Sequence, residues 1–326
     1  MGYLGLDWVI WLQAHAGPLG PAFAALSVFG TADFLLPLGI TLYWCIDSRL
    51  GVRLGLILAA GASLGGLLKL AFHLPRPYWY DVRVRPLSGE VTYGLPSSHS
   101  ITAWSVFPWL GRRILHRIGL SVGILLALGI MASRLYLGVH FPADVLAGMA
   151  VGLFVWWLVD WGIRRIGPAL RRAGFPAQLA CAAAASGLVL LAQAVALQLL
   201  TAVADPPQWA QNAARVNVIA PRDPSELVSM AGLILGLGAG LACMRRWAPF
   251  HAGGPVGKRL ARFLIGFTGL MVLWRVLPVV WNEYAQPASM ILRYIRYGLV
   301  GFWAAFLAPW FFLRLKLAAE KPAALV

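Results

Sequence analysis

Residues 97–144 read SSHSITAWSVFPWLGRRILHRIGLSVGILLALGIMASRLYLGVHFPAD, and this stretch decides the fold. Two apolar runs, 97–114 and 118–137, flank a short basic turn that carries Arg112, Arg113 and Arg117. Each run approaches the ~20 residues that a helix needs to cross the hydrocarbon core of a bilayer. Working outward, comparable runs occupy 19–46, 51–74, 142–163, 175–200, 226–244, 261–281 and 297–315. The sequence therefore predicts an all-α, polytopic transmembrane helical bundle of about nine spans. Ahead of them, Tyr3 to Ala16 places Trp8 and Trp11 on one side, a pattern suited to a helix lying at the membrane interface.

Composition supports this reading. Of the 326 residues, 60% are hydrophobic and only 12% are charged, about half the charged share of a soluble domain. So few charges cannot cover a water-soluble enzyme, and so apolar a chain is not intrinsically disordered. The net charge of +15 would suggest nucleic acid in a soluble protein. Here basic cytoplasmic loops account for it, and no nucleic-acid partner is expected. Cys45, Cys181 and Cys243 lack any C-x-x-C spacing, which argues against a disulfide framework or a zinc site. No Lys or Arg precedes Arg49 and Asp7 lies near the start, so a cleavable signal peptide is not expected.

Loop charges set an orientation. Alternate loops near Arg49, Arg112, Arg164 and Arg245, together with the tail residues Arg314, Lys316 and Lys321, hold seventeen of the 27 Lys and Arg. The positive-inside rule then puts the C-terminus in the cytoplasm of a cell-membrane protein. The loops 75–96, 134–141, 201–225 and 282–296 face the extracytoplasmic side.

Three segments reach that outer face with chemistry to offer. In the first, Lys69 lies near the end of an apolar span, where a lysine must snorkel or bind something. Pro75 and Pro77 end that helix and hold Arg76 in an extended turn. The second, Pro96-Ser97-Ser98-His99, opens the third span. It reads either as simple capping or as a helix N-terminus offering N–H groups, hydroxyls and an imidazole to a phosphate. The third runs from Ser133-Arg134 to His140 and Asp144, with Pro142 as the first residue of the fifth span. Asp144 in the first turn can reach back to one ring nitrogen of His140 and fix its tautomer, or it can serve only as a partner for the helix dipole. Together these segments hold cations, hydroxyls and imidazoles but no acidic cluster of the kind that holds Mg²⁺ or Zn²⁺. Phosphoryl transfer without a metal needs cations, a nucleophile and a proton donor, and all three are present.

The pattern K-x6-R-P, then P-S-x-H, then S-R-x5-H-x3-D resembles the type-2 phosphatidic acid phosphatase superfamily, which also includes vanadium haloperoxidases. The resemblance covers residues 69–144 and implies a six-helix phosphatase core over 19–200. An interfacial segment (1–18) would precede that core, and an outer loop with three additional spans (201–326) would follow. It further implies that His140 is the nucleophile, that Asp144 orients it and that His99 is the general acid. Lys69, Arg76, Ser97, Ser98 and Arg134 would hold the phosphate, with no cofactor and no metal.

Many family members carry Gly where Ser98 stands, and a Cβ there is costly if the backbone needs a positive φ. The long-chain-base-phosphate phosphatases are similar in having a hydroxyl at that place and extra C-terminal spans. Glucose-6-phosphatase is similar in its nine spans and in Arg76-Pro77-Tyr78-Trp79. The expected partner is a phosphorylated lipid or another phosphomonoester in a bed of membrane lipids. A soluble sugar phosphate is a rival substrate, and non-enzymatic phosphate or phospholipid transport is a rival function. A vanadate haloperoxidase fits less well, since those relatives are soluble. The sequence sets no oligomeric state.

Three features stand outside the motifs. Arg275 inside the eighth span is expected to snorkel or to pair with a carboxylate. His73 is expected to pack rather than to ligate. The 201–225 loop is long enough for a lid, with Trp209 either in that lid or anchoring at the interface.

Overall fold

A computed structural model describes residues 5–282 and 288–320 of the chain. Tyr3, Lys321 and the stretch 283–287 of the 282–296 loop lie outside the described residues. Seven helices are long and apolar enough to cross a membrane, and the bent pair Gly17–Val28 with Ala32–Ile46 makes eight. The helices are α1 (Leu6–His15), α2 (Gly20–Val28), α3 (Ala32–Thr41), α4 (Ser48–Phe72), α5 (Pro77–Tyr80) and α6 (Ser98–Tyr136). They continue with α7 (Pro142–Arg165), α8 (Gly167–Arg172), α9 (Phe175–Leu200), α10 (Pro207–Ala213), α11 (Ser225–Trp247) and α12 (Val256–Met271). The series ends with α13 (Leu277–Val280), α14 (Ser289–Phe302) and α15 (Ala308–Arg314). The protein is an all-α integral membrane protein.

The difference between eight spans and nine lies in α6. Leu115 and His116 leave helical geometry, His116 with φ 51°, so the 39-residue element consists of two arms. A Cβ placed on Gly123 would lie only 2.8 Å from the Pro108 Cα, although fifteen residues of straight helix would separate the two by more than 20 Å. The arms therefore fold back on each other at Leu115–His116, inside the basic turn that the sequence marks. Glycines 111, 119 and 123 line the seam, where side chains would keep the backbones apart.

The chain divides into two compact units. The first contains residues up to Leu35, Ala60–Asp160 and Gln193–Asp223. Within it the ten-residue α1, too short to span, exposes Trp8 and Trp11. Phe23 on α2 stacks on Tyr136 at the end of α6, with ring centroids 4.8 Å apart. Gly148 and Gly152 let α7 approach the start of α6: a Cβ on Gly148 would lie 2.7 Å from the Ser97 carbonyl oxygen. That approach brings the second and third motifs together.

The second unit contains Leu36–Ala59, Trp161–Ala192 and Pro224 onward. Here Gly232, Gly236 and Gly240 form a small-residue face of α11 against α14, where a Cβ on Gly301 would meet the Leu233 carbonyl oxygen at 2.8 Å. Tyr43 and Trp44 donate to the carbonyls of Ala305 and Ala304, both at 2.9 Å. The helix α12 starts five residues earlier than the apolar run suggests. Arg262, near the start of that run, is a fully buried helical residue. The helix α14 begins at Ser289 rather than near 297. Arg275 lies over the ring of its neighbour Trp274, 4.1 Å from the centroid.

Candidate active site

The first unit brings Lys69, Arg76, Arg134, His140 and Asp144 into one buried cluster, with Ser97 alongside. Lys69 stands in the last turn of α4. Arg76 follows the helix break in extended geometry, φ −94° and ψ 160°, as the flanking prolines require. Its guanidinium is fully buried and surrounded by acceptors. Nε donates to the Thr92 carbonyl at 2.6 Å, Nη1 to the Val139 carbonyl at 3.1 Å and Nη2 to the Tyr93 carbonyl at 3.1 Å. Thr92 also serves through its hydroxyl oxygen, which accepts from Lys69 Nζ at 2.8 Å and from Arg76 Nη2 at 3.3 Å.

His140 sits in the turn between α6 and α7. Its Nδ1 is 3.2 Å from Asp144 Oδ2, which also accepts from the Phe141 backbone N–H at 2.9 Å. Its Nε2 faces Arg76 Nη1 at 3.3 Å. A guanidinium can only donate, so Nε2 is the acceptor and the ring proton sits on Nδ1, directed at Asp144. Burial, reinforced by the charges of Arg76, Arg134 and Lys69, pushes His140 well below the usual histidine range. The imidazole is thus neutral, with a lone pair turned toward the cations.

Ser97 caps α6, accepting from the Ser100 N–H at 3.4 Å, and its own N–H donates to the Asp144 carbonyl at 3.0 Å. Ser98 is the first residue of α6 and is not among the positive-φ residues, so a Cβ there brings no backbone strain. His99 is half-buried, and its Nε2 is enclosed without a hydrogen-bond partner among the described residues. Arg134 Nη1 donates to the Ser27 hydroxyl at 2.7 Å, while its Nε has no such partner.

Sequence reasoning missed the Thr92 and Ser27 contacts and the one carboxylate set among the cations, Glu90. Its carboxylate pairs with Arg134 through Oε1 and lies 3.7 Å from Arg76 Nη2 through Oε2. Burial alone would raise this acid, but the charges of Arg76, Arg134 and Lys69 prevail and pull it down to about 2. The one available signal was isolation: Glu90 is the only acidic residue between Asp81 and Asp144. No group of three or more His, Cys, Asp or Glu side chains able to hold a metal occurs among the described residues.

The 201–223 loop straps the segment that carries Arg76 and Glu90. Asn212 donates to the Trp79 carbonyl, Arg215 to the Val82 carbonyl, and the Ala220 N–H to the Val91 carbonyl. Asp205 accepts from the Tyr93 hydroxyl at 2.9 Å and pairs with Arg222 at 3.0 Å. Trp209 packs near Trp79, with ring centroids 6.5 Å apart. His73 touches Tyr93 edge-on, as a packing residue does.

Comparison with known proteins adds sequence kinship to this geometry. The profile of the PAP2 superfamily matches residues 50–167, and that of the PAP2 superfamily phosphatase transmembrane extension matches 228–321. The chain is 33% identical over 151 residues to the "Probable sphingosine-1-phosphate phosphatase" of Dictyostelium discoideum, covering 40% of this chain and 35% of that protein. It is 28% identical over 167 residues to "Lipid phosphate phosphatase delta" of Arabidopsis thaliana, covering 46% and 40%. Against "Glucose-6-phosphatase catalytic subunit 1" of Haplochromis nubilus it is 25% identical over 276 residues, covering 73% and 75%. The chain thus spans between a third and two fifths of the first two relatives. Every motif residue from Lys69 to Asp144 falls inside the first profile, and the second takes in the C-terminal spans. On that footing, the chain carries a PAP2 superfamily domain followed by the transmembrane extension of PAP2 superfamily phosphatases.

Proposed function

We propose that the protein is a phosphomonoesterase of the membrane, acting on a lipid phosphate through a phosphohistidine and without a metal. The observation that carries the reading is the placement of His140, with Nε2 turned toward Arg76 and Nδ1 held by Asp144. In the proposed cycle Lys69, Arg76, Arg134 and the Ser97–Ser98 turn hold the phosphate oxygens. His140 Nε2 attacks phosphorus, the bond to the leaving oxygen breaks, and His99 gives that oxygen a proton. Water then attacks phosphorus while His99 takes a proton from it, the P–N bond breaks, and inorganic phosphate leaves. Buried cations supply the charge stabilisation that a metal gives elsewhere.

A site built at the ends of membrane helices favours a lipid headgroup. A soluble sugar phosphate is the second reading, favoured by the match to a glucose-6-phosphatase over 73% of the chain. Phosphate release by purified protein from a panel of lipid and sugar phosphates, with EDTA present, separates the two. Turnover should survive chelation and be fastest on a lipid phosphate. Loss of activity that Mg²⁺ restores would refute the metal-free mechanism, and preference for a sugar phosphate would refute the lipid assignment.

The positive-inside rule supports an extracytoplasmic site and a cytoplasmic C-terminus. An impermeant thiol reagent applied to intact cells should label Ser88→Cys and miss Leu115→Cys. The reverse pattern would place the substrate in the cytoplasmic leaflet.

A further inference from the structure

We propose that Glu90 is an internal counter-ion that occupies the phosphate cradle in the empty enzyme and must be displaced by every anion that enters it. This rests on the function proposed above and adds a residue that sets the affinity of its site. Glu90 stands where the cations converge: one carboxylate oxygen is on Arg134 and the other is 3.7 Å from Arg76, the two guanidiniums expected to hold phosphate. Both arginine side chains are sealed, at 0% and 2% exposure, whereas the glutamate is 26% exposed and lies on the open side. A carboxylate on the open side can rotate away while the cations stay fixed.

Its backbone is placed independently of its charge. The Tyr78 hydroxyl donates to the Glu90 carbonyl and accepts from the Glu90 N–H, each at 2.9 Å. The Ala220 N–H holds the carbonyl of the next residue, Val91, at 3.0 Å. The side chain can therefore leave without unthreading the loop.

The physical need is plain. Two guanidiniums and Lys69 buried together repel one another where little solvent reaches the cations themselves, and a cradle without an anion would be costly. Glu90 supplies that anion until substrate replaces it. The thermodynamic consequence is specific. A competitor that must leave before any ligand binds weakens all ligands in the same direction and by comparable factors, because the binding-competent fraction is common to them. It does not by itself change the chemical step.

The test is Glu90→Gln, which keeps the shape and the Tyr78 clamp and removes the charge. The inhibition constants of inorganic phosphate and tungstate, and the KM for a phosphomonoester, should all fall by about tenfold or more, with kcat changed less than a few-fold. Thermal unfolding without substrate gives a second readout that needs no turnover. The variant should melt below wild type in phosphate-free buffer, and inorganic phosphate should stabilise it more than it stabilises wild type. Unchanged or raised inhibition constants, or a collapse of kcat with KM unaltered, would overturn the proposal and make Glu90 a structural or chemical participant instead. If wild type hydrolyses no phosphomonoester, the proposed function fails, and phosphate-dependent melting still decides the role of Glu90.

Discussion

Each of the two units buries an arginine completely, and the two are used in opposite ways. Arg262 in the second unit directs its guanidinium at three successive backbone carbonyls, those of His251, Ala252 and Gly253, at 3.1, 2.7 and 2.9 Å. Its charge is spent on tying a turn to α12. Arg76 in the first unit also has carbonyl partners, but its remaining edge meets an imidazole, a carboxylate and, through Glu90, a second guanidinium. An orphaned donor does not mark out the site, since Nε has no hydrogen-bond partner among the described residues in Arg134 of the first unit or in Arg262 of the second. What distinguishes the site is the convergence of like charges on one partly exposed anion. A buried arginine ringed by carbonyls is architecture, whereas buried cations facing one another are a place built for a ligand.

Removing each kind of arginine breaks or sharpens that contrast. Arg134→Ala should lower kcat/KM by about 10²–10³-fold or more, the range seen when a preorganised charge-stabilising group is lost. It should also weaken vanadate inhibition. Arg262→Met should leave kcat/KM of the folded protein within a few-fold of wild type and lower the melting temperature instead. Three stranded carbonyls cost on the order of 1–3 kcal/mol each before solvent relieves them. A kinetic defect in Arg262→Met, or unchanged vanadate affinity in Arg134→Ala, would erase the distinction.

Acid gives the smaller effect. Glu90 sits at about 2 rather than 4.5, so its pairing contributes stability that is fully present above pH ~4.5 and is lost as pH falls toward 2. The melting temperature of wild type should therefore fall more steeply across that window than that of Glu90→Gln. Parallel acid slopes would mean that the carboxylate is not held by the arginines in solution.

Most of the fold was legible because a bilayer demands long apolar helices, and these leave a mark on any sequence. The Arg112–Arg117 turn even located the fold-back of α6. The three motifs were legible as segments because each sits at a helix end: Lys69 before a break, Ser97 at a cap, and His140 ahead of Pro142. Glu90 and Thr92 were not, since they lie on the 81–97 loop and their partners come from Tyr78, Lys69, Arg76 and Arg134, which only tertiary folding brings near. The contact between Ser27 on α2 and Arg134 was hidden for the same reason. The role of Arg262 was hidden too, since its carbonyl partners at His251, Ala252 and Gly253 come from the turn ahead of α12.

The most direct test of the central claim is to trap the covalent step. Purified protein mixed with a ³²P-labelled phosphomonoester and quenched in base should carry label that is stable to base and released by acid, the signature of a P–N bond. The label should vanish in His140→Ala. With an activated leaving group it should accumulate in His99→Ala, where the intermediate still forms but its hydrolysis lacks general-base help, worth about 10²–10⁴-fold. Label that persists in His140→Ala, or that withstands acid and yields to base, would contradict the account.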